Sequence, residues 1–302
     1  MATSERLLLI ATPLMNRTPA FDRAAALAKA KNAKLHIVAF DYIDGIAEAG
    51  LANDSAINEI RLDYLHSHRD WLEKQALGIR HMGVTVTTEV MWVKHPFDEI
   101  PAYIQDLQPS MVIKDLRHES WISRALFTSL DRCLLHACRT PLHLVAKVQR
   151  GLPRRIVAAV DPFHADDEFE HLNQQILTTA TALAEQCGAQ LEVLYVYDLS
   201  YLFAEDGWGY EPSAAEKLYA EAKTAFAELA DRAGIAVDRR HMVVGSPARM
   251  IESYTSSQDM DVVVLGTVHR DLAHVLLGST TEHVVNHLYS SLLTVNPRSA
   301  GR

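Results

Sequence analysis

Cysteine is scarce in this chain of 302 residues, which has three: Cys133, Cys138 and Cys187. An odd, small number argues against a disulfide-stapled secreted fold and reads as reduced thiols in a cytoplasmic protein. Cys133 and Cys138, five apart on a predicted helix, point to different faces and read as buried small hydrophobes. Long apolar runs are also missing. None approaches the roughly 20 residues that span a bilayer, so no membrane partner is expected. The polar start, Met1–Arg6, carries no signal-peptide pattern. Basic charge is in deficit, with 29 Lys+Arg against 38 Asp+Glu and a formal net charge of -9. An acidic chain repels phosphate backbones at long range, so no nucleic-acid partner is expected. Catalytic signatures are absent as well. There is no Gly-x-Ser-x-Gly elbow and no Walker loop ending in Gly-Lys-Ser/Thr. The glycine-rich loop of ATP pyrophosphatases and the His-x-Gly-His type motif of nucleotidyl transferases are also lacking. No nucleophile and base are placed together, so the expectation is that the protein is not an enzyme.

What is present is an ordinary globular composition, 48% hydrophobic and 22% charged. At roughly 150 residues per domain the length suggests two domains. A β–α rhythm runs from end to end. Strands are predicted at Leu7–Thr12, Lys34–Tyr42, Val84–Trp92, Met111–Leu116 and Leu142–Ala146. The second half repeats them at Arg155–Asp161, Gln190–Asp198, Val237–Val244, Asp261–Thr267 and Leu292–Asn296. Helical patterns fill the intervals, ending with Ser123–Cys138 and Ser279–Tyr289. Val-, Ile- and Leu-rich strands alternating with helices predict parallel sheets covered on both faces. The stretch Ser110–Val145 aligns on Asp261–Asn296 at one constant offset without a gap. The chain therefore reads as a duplicated α/β fold, two tandem doubly wound five-stranded domains over 1–148 and 154–302. Gly151 and Pro153 mark the linker.

In doubly wound sheets ligands bind beyond the carboxyl ends of the strands, where strand order reverses. Three features of the second half face that edge. Gly266 ends a strand. Gly278-Ser279-Thr280 opens a helix, where free N–H groups favour an anion and hydroxyls either cap the helix or meet phosphate oxygens. Asp161 ends the first strand of that half; it reads as a ribose or Mg²⁺ acceptor, or as an Asx-turn before Pro162.

At these residues the chain resembles the universal stress proteins, in their tandem E-type form. The resemblance is carried by IVAAVDP (156–162), LEVLYVYD (191–198) and VVVLGT…LLGSTTEHVVNH (262–287). In the first half it is carried by VMWVKHPFDEI (90–100) and SMVIKDLRHESWISRALFTSLDRCLLHA (110–137). The resemblance implies an ATP or AMP site, with Mg²⁺ accompanying ATP. Asp161 would then lie near ribose and metal with Ala159 beside it, and the Val196 backbone would meet the adenine. Leu265 and Gly266 would line the ribose side, and Gly278, Ser279 and Thr280 would hold phosphates. Two departures bear on this: His269 stands at the pattern's second glycine, and the following loop is one residue short before Gly278. In the first half Thr12 replaces Asp161, Asp115 replaces Gly266 and Phe127 replaces Gly278. That half is expected not to bind ATP in this way, and to act as a structural partner or hold another ligand.

Other signals are weaker. His283 and His287 share a helix face at metal-compatible spacing, but no third ligand is in sight, so no metal is assigned. Tyr201, Phe203, Trp208 and Tyr210 read as a lid over a ligand mouth or as packing against a neighbour. Lys94, His95 and Lys114 lie near the first half's edge, as a weakly basic pocket or as solvated loop. The short apolar fifth strands LHLVA and LLTVN call for partners, and the resemblance implies that the two halves pair as an intramolecular pseudo-dimer, with a homodimer also open. The reading is a cytoplasmic, non-catalytic stress-response module that binds a small ligand and an unknown protein partner. Its alternatives are a non-nucleotide scaffold for an apolar metabolite or protein, and a slow ATP hydrolase.

Overall fold

The computed structural model describes residues 5–41, 54–116, 130–146, 151–162, 167–198, 212–267 and 290–296. The chain divides into two units, Met1–Leu152 and Pro153–Arg302. Among the described residues no helix is long and apolar enough to cross a membrane.

The first unit runs β1 (Arg6–Ala11), α1 (Pro19–Ala30), β2 (Lys34–Asp41), α2 (Asp54–His81), β3 (Val86–Trp92), α3 (Pro96–Leu107), β4 (Met111–Asp115) and β5 (Leu142–Val145). Residues 130–137 are helical. Its strands are parallel in the order β3-β2-β1-β4-β5. The second unit runs β6 (Arg155–Val160), α4 (Asp167–Cys187), β7 (Gln190–Tyr197), α5 (Pro212–Arg232), β8 (Arg240–Val244), α6 (Pro247–Ser257), β9 (Val262–Gly266) and β10 (Ser291–Val295). It repeats the order as β10-β9-β6-β7-β8, again parallel. In each unit the chain reverses direction across the sheet between the first and fourth strands. The crevices expected to hold ligands therefore lie between the tips of β1 and β4, and of β6 and β9.

Central strands covered on both faces must be apolar at every position rather than alternating. In β1 Leu7, Leu8 and Leu9 are wholly buried, and in β9 Val262, Val263 and Val264 are. Alanines let the first helix approach closely: Ala20, Ala24, Ala25 and Ala28 of α1 are buried beside Phe21 and Leu27. Pro19, Pro96 and Pro247 start their helices at a position where the missing N–H costs nothing.

One expected strand is shorter than its pattern. Val237–Arg239 form a 3₁₀ turn, and β8 begins at Arg240. The Arg240 guanidinium holds that turn down, donating from Nε to the Ile235 carbonyl at 2.9 Å and from Nη2 to Asp231 at 2.7 Å. Pro101 lies inside α3. Its ring offers no N–H to the Phe97 carbonyl one turn back. The Cys133 thiol donates to that carbonyl instead, with Sγ 3.2 Å from the oxygen. Cys133 is thus a hydrogen-bonding residue rather than a mere small hydrophobe. Burial, with Asp98 adding, raises its thiol above the ordinary range.

Candidate functional site

The second unit's sheet is buried along most of its length and opens at its carboxyl tips. Ala159 and Asp161 at the end of β6, Val196 near the end of β7 and Gly266 at the end of β9 are all half-buried, while Leu265 is buried. These strands are neighbours: Ala158 pairs with Val264, and Val160 with Tyr195. Five of the expected site residues are therefore gathered on one edge at the reversal of strand order. Gly278, Ser279 and Thr280 lie outside the described residues, as do His269, Phe127, the aromatic group at 201–210, His283 and His287.

The first unit has the same edge, more buried at three positions. Equivalence follows from matching strand starts, Arg6 with Arg155 and Lys34 with Gln190, each the first residue of its strand. Ile10 then stands where Ala159 does, Thr12 for Asp161 and Phe40 for Val196. Their exposures are 4%, 7% and 3%. Larger side chains, Ile10 for Ala159 and Phe40 for Val196, fill two of the positions that the second unit leaves partly open.

Asp161 is positioned through its backbone. Its N–H donates to the Asn173 side-chain oxygen at 3.0 Å, and the Asn173 amide donates back to the Asp161 carbonyl at 2.8 Å. Asn173 lies on α4, so the helix fixes the end of β6. Gly266 has a second physical reason besides ligand access. A Cβ placed there would stand 2.6 Å from Leu172 Cδ2 and 3.0 Å from Ile176 Cδ1. Only glycine lets α4 lie this close to the tip of β9.

Lys114 does not contribute free positive charge to the first unit's edge. Its ammonium is 2.8 Å from the buried Asp131 carboxylate and donates to the Asp115 carbonyl at 3.2 Å. Lys94 and His95 turn their backbone N–H groups to Glu99, at 2.8 and 2.6 Å. These bonds, the one from His95 first, draw the Glu99 carboxyl below its usual range. Lys114 is therefore paired, and the exposed Lys94 and His95 stand at the capped start of α3.

Sequence reasoning missed a polar cluster above the first unit's edge. Asp41, the last residue of β2, and His68 of α2 are both wholly buried, with Nδ1 2.9 Å from Oδ2. Among the described residues, neither His68 Nε2 nor Asp41 Oδ1 has a hydrogen-bond partner. The same face of α2 presents Tyr64, which donates to the Pro13 carbonyl at 2.9 Å, and Arg61, whose guanidinium lies 5.8 Å from the Trp92 ring centre. Trp71 packs edge-on to His68 at 5.9 Å and to Phe21 at 5.7 Å. The spacing 61, 64, 68, 71 is one helix face, and an acid closing β2 was the available signal. Among the described residues no group of three His, Cys, Asp or Glu side chains could hold a metal ion.

The universal stress protein family matches twice, over residues 6–146 and 153–296. The chain belongs to the universal stress protein family. It holds two copies of the family domain in tandem. It is 23% identical over 301 residues to universal stress protein E of Escherichia coli K12, covering 98% of this chain and 95% of that one. A universal stress protein E homolog of Haemophilus influenzae is 24% identical over 253 residues, 82% of each chain. In structure, this universal stress protein is similar to a putative family member from Pseudomonas aeruginosa, with a TM-score of 0.75 and 23% identity over 97% of this chain and 94% of that one. A family member from Archaeoglobus fulgidus gives a TM-score of 0.65 at 18% identity, over 97% and 96% of the two chains. At such identities the structural likeness speaks for the fold alone.

Proposed function

We propose that this universal stress protein is a non-catalytic, cytoplasmic stress-response module with one ligand site, of adenine-nucleotide type, in its second unit. One observation carries the reading: Ala159, Asp161 and Val196 are half-open at adjoining strand tips, whereas Ile10, Thr12 and Phe40 at the equivalent positions of the first unit are buried. The residues suit the ligand. Small Ala159 leaves room beside the sheet, the Asp161 carboxylate accepts from a ribose hydroxyl or holds Mg²⁺, and the Val196 backbone offers hydrogen bonds to a base edge. Leu265 lines the ribose side, and Gly278, Ser279 and Thr280 would receive phosphate. The first unit serves as structural partner on this reading, and signalling passes through a protein that recognises the liganded form.

Calorimetric titration of ligand-stripped protein with AMP, and separately with ATP and Mg²⁺, tests it. One site per chain is expected with at least one ligand, weakened by Asp161→Ala or Gly278→Phe. Silence with both, at two temperatures and up to millimolar ligand, retires the nucleotide in favour of an apolar metabolite. Packing of Leu172 and Ile176 over Gly266 favours that second reading. Magnesium-dependent phosphate release abolished by Asp161→Ala would instead make the protein a slow ATP hydrolase.

A further inference from the structure

We propose that Asn173 is a positioning residue of the second unit's ligand site, holding the tip of β6 apart from β9 and presenting the Asp161 carboxylate to the ligand; this rests on the nucleotide reading above. A ladder holds neighbouring strands about 4.8 Å apart, so a ligand enters between them only beyond the last pair. In the first unit the β1–β4 ladder runs from Leu7–Met111 to Ile10–Lys114. In the second the β6–β9 ladder runs from Ile156–Val262 only to Ala158–Val264. By the same matching of strand starts, Met111 with Val262, the pair that is missing is Ala159–Leu265. Strand β9 stays with β10 as far as Gly266, and β6 stays with β7 as far as Val160. The sheet thus splits between β6 and β9 one pair sooner than between β1 and β4.

Backbone groups beyond the end of a ladder need other partners. An asparagine side chain carries the donor and the acceptor of a peptide group, and can stand in for a neighbouring strand. Asn173 does so for Asp161, accepting from its N–H at 3.0 Å and donating to its carbonyl at 2.8 Å. Asn173 is itself buried, so water competes little for either bond. Pro162 adds to the hold, because a residue before proline is kept extended. An extended Asp161 continues the alternation of β6 and shares the face of Ala159, at the split.

The first unit is built differently here. The two first helices end alike, with Ala33 N–H bonded to Ala28 O and Ala189 N–H to Ala184 O. Counting back from those bonds sets Asn173 against Arg17, which precedes α1 and binds Asp22 and Gln75 instead. The β1 tip is turned by Thr12, whose Oγ1 accepts from the Leu14 N–H at 3.3 Å. The clamp, the early split and the half-open strand tips thus occur together in the second unit. A contact made through one carboxylate is strongest when that carboxylate is fixed before the ligand arrives. Released from Asn173, the Asp161 peptide would turn in the split and its carboxylate would lose its aim toward a ribose hydroxyl or Mg²⁺. Asn173 touches no ligand on this reading; it acts through Asp161.

The test is calorimetry with AMP, and separately with ATP and Mg²⁺, on the full chain, Asn173→Ala, Asp161→Ala and the double variant, with thermal melts to show that each folds. Asn173→Ser stands in if Asn173→Ala does not fold. The nucleotide that the parent binds is expected to bind the folded Asn173 variant about tenfold or more weaker, the scale on which removing the outer support of a direct contact acts. Because Asn173 acts through Asp161, adding its substitution to Asp161→Ala should change the affinity little further. A merely structural role would weaken both backgrounds alike. Amide exchange without ligand is a second readout: Asp161 should exchange faster in the Asn173 variant, and the β9 amides at their parental rate. Undiminished affinity in a folded Asn173 variant, equal losses in both backgrounds, or an unchanged Asp161 exchange rate overturns the clamp while leaving the nucleotide site standing. Silence of both nucleotides on the parent retires the nucleotide reading, and this role with it.

Discussion

Tyr103 and Tyr254 stand at the same place in the two units, each seven residues after the proline that opens its helix, and each donates its hydroxyl to a glutamate. Tyr103 reaches Glu89 at 2.7 Å and Tyr254 reaches Glu192 at 2.6 Å. The glutamates themselves are not equivalent. Glu89 is on β3 beside His36 of β2, while Glu192 is on β7 beside His241 of β8. Acid and base have changed strands between the copies, and the tyrosine has followed the acid.

The burial of these acids differs, and so should the cost of removing the phenol. Glu192 is 6% exposed and also takes Arg155 Nη2 at 2.9 Å, whereas Glu89 is 45% exposed. A hydrogen bond to a charged, desolvated acceptor is worth about 1.5–3 kcal/mol. Tyr254→Phe should therefore destabilise the second unit by about that amount in denaturant titrations. Tyr103→Phe should cost less, because water reaches Glu89.

His36 gives the first unit an acid-sensitive element. Since the Tyr103 hydroxyl donates to Glu89, it must accept from His36 Nε2, 2.7 Å away, and Nδ1 then accepts from the Thr87 hydroxyl, also at 2.7 Å. The neutral ring therefore carries its proton on Nε2. Burial lowers its pKa, against the partial counterpull of Glu89, with Arg6 lowering it further. The unfolded chain thus binds the proton more readily than the folded one. This contribution is complete above the ordinary histidine pKa of about 6.5 and is lost as pH falls toward the lowered folded value. Equilibrium unfolding between pH 7.5 and 5 should show stability falling, and His36→Gln should flatten that slope.

The Asp41–His68 pair is a high-stakes contact because both groups are wholly buried. Removing one partner leaves the other uncompensated, at about 3–5 kcal/mol. His68→Ala should approach that loss in chemical denaturation. A double-mutant cycle with Asp41→Ala should show strong coupling, the double variant being much less destabilised than the sum of the singles. Additive losses would mean that the pair does not act as a unit.

The Cys133 thiol should label slowly with a maleimide at pH 7, because the thiolate is the reactive form and burial disfavours it. Cys133→Ser keeps a donor for the Phe97 carbonyl and should be nearly neutral in stability. Cys133→Ala strands that carbonyl beside Pro101 and should cost about 1 kcal/mol in thermal or denaturant unfolding. Equal effects of the two substitutions would show that packing, not the hydrogen bond, matters there.

The duplication and the parallel sheets were legible because both rest on repeated patterns: apolar strands, spaced helices and a gapless stretch of 36 residues, Ser110–Val145, on its copy. The edge position of Asp161, Val196 and Gly266 follows from the same periodicity. What stayed hidden depends on side chains meeting across the fold. Leu172 over Gly266 could not be read, because a helix start fixes neither the reach of the helix nor its height above the sheet. Lys114 read as free charge because its partner Asp131 is 17 residues away on another element. Asp41 and His68, 27 residues apart, escaped for the same reason.

The exchange of acid and base between the copies also bears on how a duplicated chain avoids assembling wrongly. Tandem domains of one architecture can trade strands while folding, and like-with-like pairing alone would not prevent it. Here a β7 strand astray on β3 would set Glu192 beside Glu89, and a β2 strand astray on β8 would set His36 beside His241. Each hybrid brings two acids or two imidazoles to a place where the correct pairing brings one of each. Each copy thus has its own password for its second and third strands, written in two residues and checked by one tyrosine.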